Sequence, residues 1–192
     1  QNLNAIASNG SSVVAVGDNG SIITTTDAIT WKVATSVPSS TPHLYGVNFS
    51  NSGKWVAVGA GGTVLTSTDG LTWTTQTPGI TADLKAIGSN STYLNGVTTY
   101  NFVAVGAAGT VLTSPDAITW TRQNLSTTTS LNALSYLNQF MVVGNSGTIM
   151  TSPDGVTWTT RTSNTTENLT TLTRANNQYI AVSDSGKIIY SK

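Results

Sequence analysis

The stretch Trp55-Val-Ala-Val-Gly-Ala-Gly-Gly-Thr-Val-Leu-Thr-Ser-Thr-Asp-Gly-Leu-Thr-Trp73 decides the fold. It opens on an apolar run. Side chains alternate along a strand, so Trp55 and Ala57 share one face and Val56 and Val58 the other. A strand apolar on both faces is covered on both sides. Gly59 to Gly62 supplies a turn, and a second short run returns to Ser67. The second glycine predicts a type I turn followed by a left-handed residue, the bulged hairpin. The segment closes on Ser67-Thr-Asp-Gly-Leu-Thr-Trp73. No helical period runs through it, so the class is all-β.

The same features recur on either side. The apolar run returns as Val13-Val-Ala-Val-Gly17, Phe102-Val-Ala-Val-Gly106, Phe140-Met-Val-Val-Gly144 and Tyr179-Ile-Ala-Val-Ser183. The closing motif returns around Asp27, Asp116 and Asp154, so its four aspartates are spaced by 42, 47 and 38 residues. Upstream of each run a Leu-x-small-apolar pattern begins, at Leu3, Leu44, Leu84, Leu131 and Leu169. Each unit reads as four short strands. Four strands repeated every ~40–45 residues is the signature of a propeller blade. The expectation is a single five-bladed β-propeller over residues 1–192, with units at about 1–41, 42–81, 82–128, 129–166 and 167–192. About seven extra residues around Tyr93–Asn101 read as a loop insertion in the third unit.

The closing motif reads as a structural clasp. Asp27, Asp69, Asp116 and Asp154 can accept hydrogen bonds from backbone N–H groups of their own turn. The threonine that follows adds a hydroxyl. Trp31, Trp73, Trp120 and Trp158 bury their rings between blades and keep their N–H paired. The residue after the aspartate is Ala28, Gly70, Ala117 or Gly155. Alanine avoids positive φ, so this position is predicted to lie outside the left-handed region. Pro115 and Pro153 precede two of the aspartates, where the N–H is dispensable.

These motifs resemble the Asp-box, or bacterial neuraminidase repeat, of sialidases and other bacterial propellers. The repeat is also similar to that of the photosystem II assembly and stability factor family. The usual pattern is Ser/Thr-x-Asp-x-Gly-x-Thr-Trp; here one residue is missing between Asp and Thr. The resemblance covers essentially the whole chain. It implies a propeller. In these families the box lies opposite the ligand face and many members lack catalytic activity, so the resemblance implies a structural role for the boxes.

Composition narrows the function. The 192 residues carry 8 basic and 8 acidic side chains, no net charge and no cysteine. Charged residues make up 8%, against ~25% in ordinary domains. Such a balance offers no electrostatic footprint for nucleic acid or an anionic membrane. No apolar run approaches the ~18 residues of a membrane-spanning helix. Disulfides and thiolate metal sites are excluded. Low charge with 35 threonines fits a secreted or cell-surface protein.

Enzyme chemistry finds no foothold. A sialidase needs three converging arginines, a Tyr–Glu pair and an acid. Arg122 and Arg161 fall on predicted outer strands, Arg174 is the third arginine, and Glu167 is the sole glutamate. Paired-carboxylate hydrolysis needs carboxylates about 5–9.5 Å apart. Asp18 and Asp184 would be neighbours in a closed ring, but aspartate in a turn is ordinary. His43 stands alone as a surface histidine. No catalytic, cofactor or metal site is expected. A binding face is conceivable: the second residue of each first strand, Asn4, Tyr45, Lys85, Asn132 and Thr170, falls at the mouth of the central funnel. Asp18, Asn19, Asn145, Ser146, Asp184 and Ser185 would ring the same face.

The fifth unit stops at Ser191-Lys192, where its Asp motif should begin, so the last blade lacks its outer strand. Three readings stay open: a three-stranded blade, a piece of a longer array, or an edge paired by another chain. Lys187 and Lys192 could serve as gatekeepers there. The function this supports is a non-catalytic interaction or self-assembling module with a protein partner. The alternative is a glycan-binding propeller using the funnel. The third option is a degenerate glycosidase.

Overall fold

Each expected unit folds as an antiparallel meander. The computed structural model describes residues 1–38 and 42–191, which leaves Lys192 and its expected gatekeeper role outside the described residues. Blade one holds β1 (Leu3–Ser8), β2 (Val13–Gly17), β3 (Ile22–Thr25) and β4 (Lys32–Val33). Blade two holds β5 (Leu44–Phe49), β6 (Trp55–Gly59), β7 (Val64–Ser67) and β8 (Thr74–Gln76). Blade three holds β9 (Leu84–Leu94), β10 (Val97–Gly106), β11 (Val111–Ser114) and β12 (Thr121–Gln123). Blade four holds β13 (Leu131–Tyr136), β14 (Phe140–Gly144), β15 (Ile149–Ser152) and β16 (Thr159–Arg161). Blade five holds only β17 (Leu169–Ala175), β18 (Gln178–Ser183) and β19 (Ile188–Tyr190). The protein is an all-β, five-bladed propeller whose last blade has three strands.

A bulge shapes every first strand. The pairing of β5 with β6 slips between Leu44 and Gly46, so Tyr45 is left unpaired. The same slip follows Leu3, Leu84, Leu131 and Leu169. An extra residue restores the alternation. Leu44 and Val47 can then share one face, although three residues apart in a flat strand would put them on opposite faces. Both join the cluster between blades one and two. This is why the sequence shows Leu-x-small-apolar rather than strict alternation.

The turns correct two expectations. In blades one to four the hairpin between second and third strands carries two successive left-handed residues, such as Asn19 at φ 52° and Gly20 at φ 69°. That is a type I′ geometry, not a type I turn with a bulge. Only blade five follows the expected pattern: Gly186 N–H donates to Ser183 O, and Gly186 alone is left-handed there. The extra residues of unit three are not a loop. They lengthen β9 and β10 into a projecting hairpin that turns at Asn95 and Gly96.

Blades pack face to face. On each second strand the first and third residues meet the preceding blade, and the second and fourth meet the following one. Val14 and Val16 thus join Trp55 and Ala57. Val56 and Val58 join Phe102 and Ala104; Val103 and Val105 join Phe140 and Val142; Met141 and Val143 join Tyr179 and Ala181. These are four interfaces for five blades. No such cluster among the described residues joins blade five to blade one. Leu3 is 50% exposed where Leu44, the same repeat position, is 0% exposed. Ile188 is 52% exposed where Val64 is 0%. Among the described residues the five blades therefore form an open arc, with no packed layer between blades one and five.

Candidate functional site

The aspartates form the expected clasps. Asp69 Oδ1 accepts the N–H groups of Leu71 and Thr72, both at 2.8 Å, and the Ser67 hydroxyl at 2.9 Å. Asp27, Asp116 and Asp154 repeat the arrangement with their own turns. The N–H of Thr30, then that of Ile29, holds the Asp27 carboxyl down to about 2. Thr72 and Leu71 do the same for Asp69, also to about 2. Burial opposes the ionised form at Asp116 and Asp154, but the turn N–H groups prevail and both carboxyls stay below their usual range. Indole N–H groups of Trp73, Trp120 and Trp158 donate to the carbonyls of Gly70, Ala117 and Gly155.

One detail overturns the sequence reading. Ala28 and Ala117 sit at φ 59° and 63°, in the left-handed region that Gly70 and Gly155 also occupy. The clasp dictates this. The same aspartate oxygen receives N–H groups two and three residues on, so the chain must turn within one residue. A single left-handed alanine costs only about 1–2 kcal/mol, and the hydrogen bonds offset it.

Each of the five candidate funnel residues is the extra residue of a first-strand bulge. Bulges re-aim side chains. Tyr45, Lys85, Asn132 and Thr170 line one concavity of about 510 Å³, together with Asp83 and Asp184. Asn4 is not among its lining; it donates to Asp18 Oδ1 and to Leu44 O. The polar groups largely engage one another. Lys85 Nζ donates to Asn132 Oδ1 at 2.8 Å, and Asn132 Nδ2 donates to Asn145 Oδ1 and Leu169 O. Asp18 and Asp184 are not brought together as a carboxylate pair: Asp18 binds Asn2, Asn4 and His43, and Asp184 accepts from Asn168.

His43 stands half-exposed with Nδ1 3.0 Å from Asp18 Oδ1, and its ring stacks on Tyr45. Asp18 is pulled below its usual range, first by the Asn4 amide and then by His43. Glu167 takes the hydroxyls of Ser183 and Ser185, which lower its carboxyl. Arg122 and Arg161 lie on β12 and β16 as expected, and Arg161 Nε donates to Thr151 Oγ1. No group of metal-ligating side chains occurs among the described residues. Sequence reasoning missed a polar relay between blades. Asp83 Oδ1 accepts the Gly61 N–H of the preceding blade, and Asn168 Oδ1 accepts that of Ser146. The only signal was a polar residue directly before each first-strand leucine.

The open last blade leaves an apolar cleft. A cleft of about 580 Å³ runs between blades four and five along β19. Its apolar floor is Met141 and Ile149 from blade four and Tyr179, Ala181 and Ile189 from blade five. The outer edge of β19 carries no fourth strand.

No family model matches the chain, and no curated protein matches it. Solved structures do. YCF48 bound to D1 peptide superposes with a TM-score of 0.72 at 19% identity, over 99% of this chain and 63% of that one. YCF48 from Cyanidioschyzon merolae gives 0.65 at 17% identity, over 94% and 63%. The WD40 repeats of RRP9 give 0.77 at 12% identity, over 98% and 59%. These likenesses are likenesses of fold. The chain spans about three fifths of the length of each.

Proposed function

We propose that this chain is a non-catalytic protein-interaction propeller, and that it associates end to end with further copies of itself. What carries the reading is the pair of unmatched faces. The forward face of blade five presents Val182, Ile188 and Tyr190. The backward face of blade one presents Leu3, Ile6 and Trp31. In each of the four internal interfaces the positions of Val182 and Ile188 meet those of Leu3 and Ile6 in one apolar layer, and in three of them the tryptophan joins it. Every copy carries both halves, so a second copy is complementary at either end. Such head-to-tail contacts generate closed rings or filaments. The near absence of charge leaves little repulsion between stacked copies. YCF48, the fold neighbour whose structure holds a D1 peptide, fits a propeller used as a protein-binding scaffold. We place the protein outside the cell or at its surface, on its low charge and threonine richness.

Sedimentation velocity on residues 1–192 tests this. Wild type is expected to give concentration-dependent oligomers. Ile6→Asp and Ile188→Asp alter exposed side chains, so each variant stays folded. Each alone is expected to be monomeric, because one face is spoiled. Mixed one to one they form a capped dimer and nothing larger. A wild-type chain that stays monomeric at high concentration overturns the proposal.

A second reading uses the funnel. Tyr45, Lys85, Asn132 and Thr170 do gather in one polar concavity, as a sugar site would require. Loss of glycan-array binding on Tyr45→Ala would support it. The self-engaged amides and ammonium leave fewer free donors there, so the interaction reading stands first.

A further inference from the structure

The cleft beside β19 has three internal templates, in blades two, three and four. In blade two, the Asp motif places Trp73 in the apolar layer against blade one, with Val14, Ile22, Trp55, Ala57 and Leu65. The next three residues then pair with the third strand: Thr74 opposite Thr66, Thr75 opposite Leu65 and Gln76 opposite Val64. In blade five the equivalents of those five residues are Met141, Ile149, Tyr179, Ala181 and Ile189. They are the floor of the cleft. The equivalents of Thr66, Leu65 and Val64 are Tyr190, Ile189 and Ile188, the three residues of β19.

We infer that the cleft is a binding site for an extended segment of a partner polypeptide, with a tryptophan followed by a short polar strand. The indole fills the space between Met141 and Ala181. The three residues after it pair antiparallel with β19, opposite Tyr190, Ile189 and Ile188 in that order. Strand addition satisfies the free N–H and C=O groups of the edge, and the indole supplies apolar burial and register. A small residue three positions before the tryptophan is required. In blade two a Cβ on Gly70 would stand 3.0 Å from Val14 Cγ2, and in blade four one on Gly155 would meet Val103 Cγ2 closer still. The matching wall of the cleft is Met141, on blade four. This site lies on the side of blade five that faces blade four, so it works equally in a monomer.

The probe is a fluorescent peptide with the sequence Ser152-Pro-Asp-Gly-Val-Thr-Trp-Thr-Thr-Arg161, titrated into the 192-residue chain and followed by anisotropy. Saturable binding is expected, with hydrogen-exchange protection confined to Ile188–Tyr190 and the cleft walls. A peptide carrying Trp158→Ala is expected to bind at least about tenfold more weakly, as for a central aromatic anchor. Because the change is made in the peptide, folding of the chain is not at issue. No binding at millimolar peptide, equal binding of the Trp158→Ala peptide, or protection elsewhere on the chain overturns the inference.

Discussion

Trp31 and Trp73 hold the same position of the repeat, yet Trp73 is 3% exposed and Trp31 is 39% exposed. The motifs around them differ only by Thr25, Ala28 and Ile29 in place of Ser67, Gly70 and Leu71. The large difference is the blade in front: Trp73 packs into the layer against blade one, and Trp31 has no such layer. Trp73→Ala is therefore expected to cost about 3–5 kcal/mol, as for a large buried aromatic. Trp31→Ala is expected to cost less than half of that in the monomer and to weaken end-to-end association instead. Urea melts of the two variants, with sedimentation alongside, separate the effects.

Acid stability follows from the clasps. The turn N–H groups hold the Asp27 and Asp69 carboxyls down to about 2 in the folded protein, below their ordinary 3.8. A depressed carboxylate contributes stability that is present above the unfolded value and lost as pH falls through the folded one. Thermal stability is thus expected to hold down to about pH 4 and to fall between there and about pH 2. Asp69→Asn retains an acceptor oxygen without the charge, and its variant is expected to show a shallower acid loss. A melting curve measured at half-unit pH steps checks both.

The left-handed alanines offer a gain. Ala28 is exposed and holds φ 59°, a backbone region that costs a Cβ about 1–2 kcal/mol and costs glycine nothing sterically. Glycine also raises the entropy of the unfolded chain, which offsets part of the relief. Ala28→Gly is expected to stabilise by up to about 1 kcal/mol, or about 2–4 °C for a chain of this size. Gly62→Ala is expected to do the reverse and more. Its φ is 75°, and an added Cβ would run into the Ile80 carbonyl. Differential scanning calorimetry of the two variants shows whether the signs are opposite.

The blade count, strand order and missing outer strand were legible because each blade repeats one pattern, and period-2 burial writes itself into Val56-Ala57-Val58. The clasps were legible because Asp and Thr act on their own turn. Ring closure was not. Leu3 and Leu44 are the same residue in the same pattern, and nothing local records whether another blade lies in front. Propensity alone gives the wrong sign of φ at Ala28, because the hydrogen bonds of the clasp override it. The projecting hairpin is legible only in Asn95-Gly96, a strong type I′ signal that the repeat pattern of the other units does not carry. The cleft in blade five was half legible: the missing strand showed, but not the apolar floor left beneath it.

Tyr179 fixes how firmly the last blade is held. Its counterparts Trp55, Phe102 and Phe140 are buried without such a bridge. The Tyr179 hydroxyl donates to Gln139 O at 2.6 Å and accepts the Leu137 N–H at 3.1 Å, tying blade five to blade four. Blade five has one packed face and three strands, and this bridge adds to the bonds that Arg174 makes to Tyr136 O and Asn132 makes to Leu169 O. Tyr179→Phe keeps the ring and removes both bonds, leaving the Leu137 N–H and the Gln139 carbonyl with their mutual bond at 3.2 Å, so the expected cost is about 0.5–1.5 kcal/mol. Burial raises the phenol above its usual 10.0. A raised acid keeps its stabilising contribution below the unfolded value and loses it as pH climbs through the folded one. Wild type is therefore expected to loosen blade five from about pH 10 upward, and Tyr179→Phe to remove that alkaline step. Near neutral pH, the variant should exchange amides of β17, β18 and β19 faster while blades one to three stay unchanged. Uniform acceleration across all blades would mean that the bridge serves global stability and that blade five is not a separate opening unit.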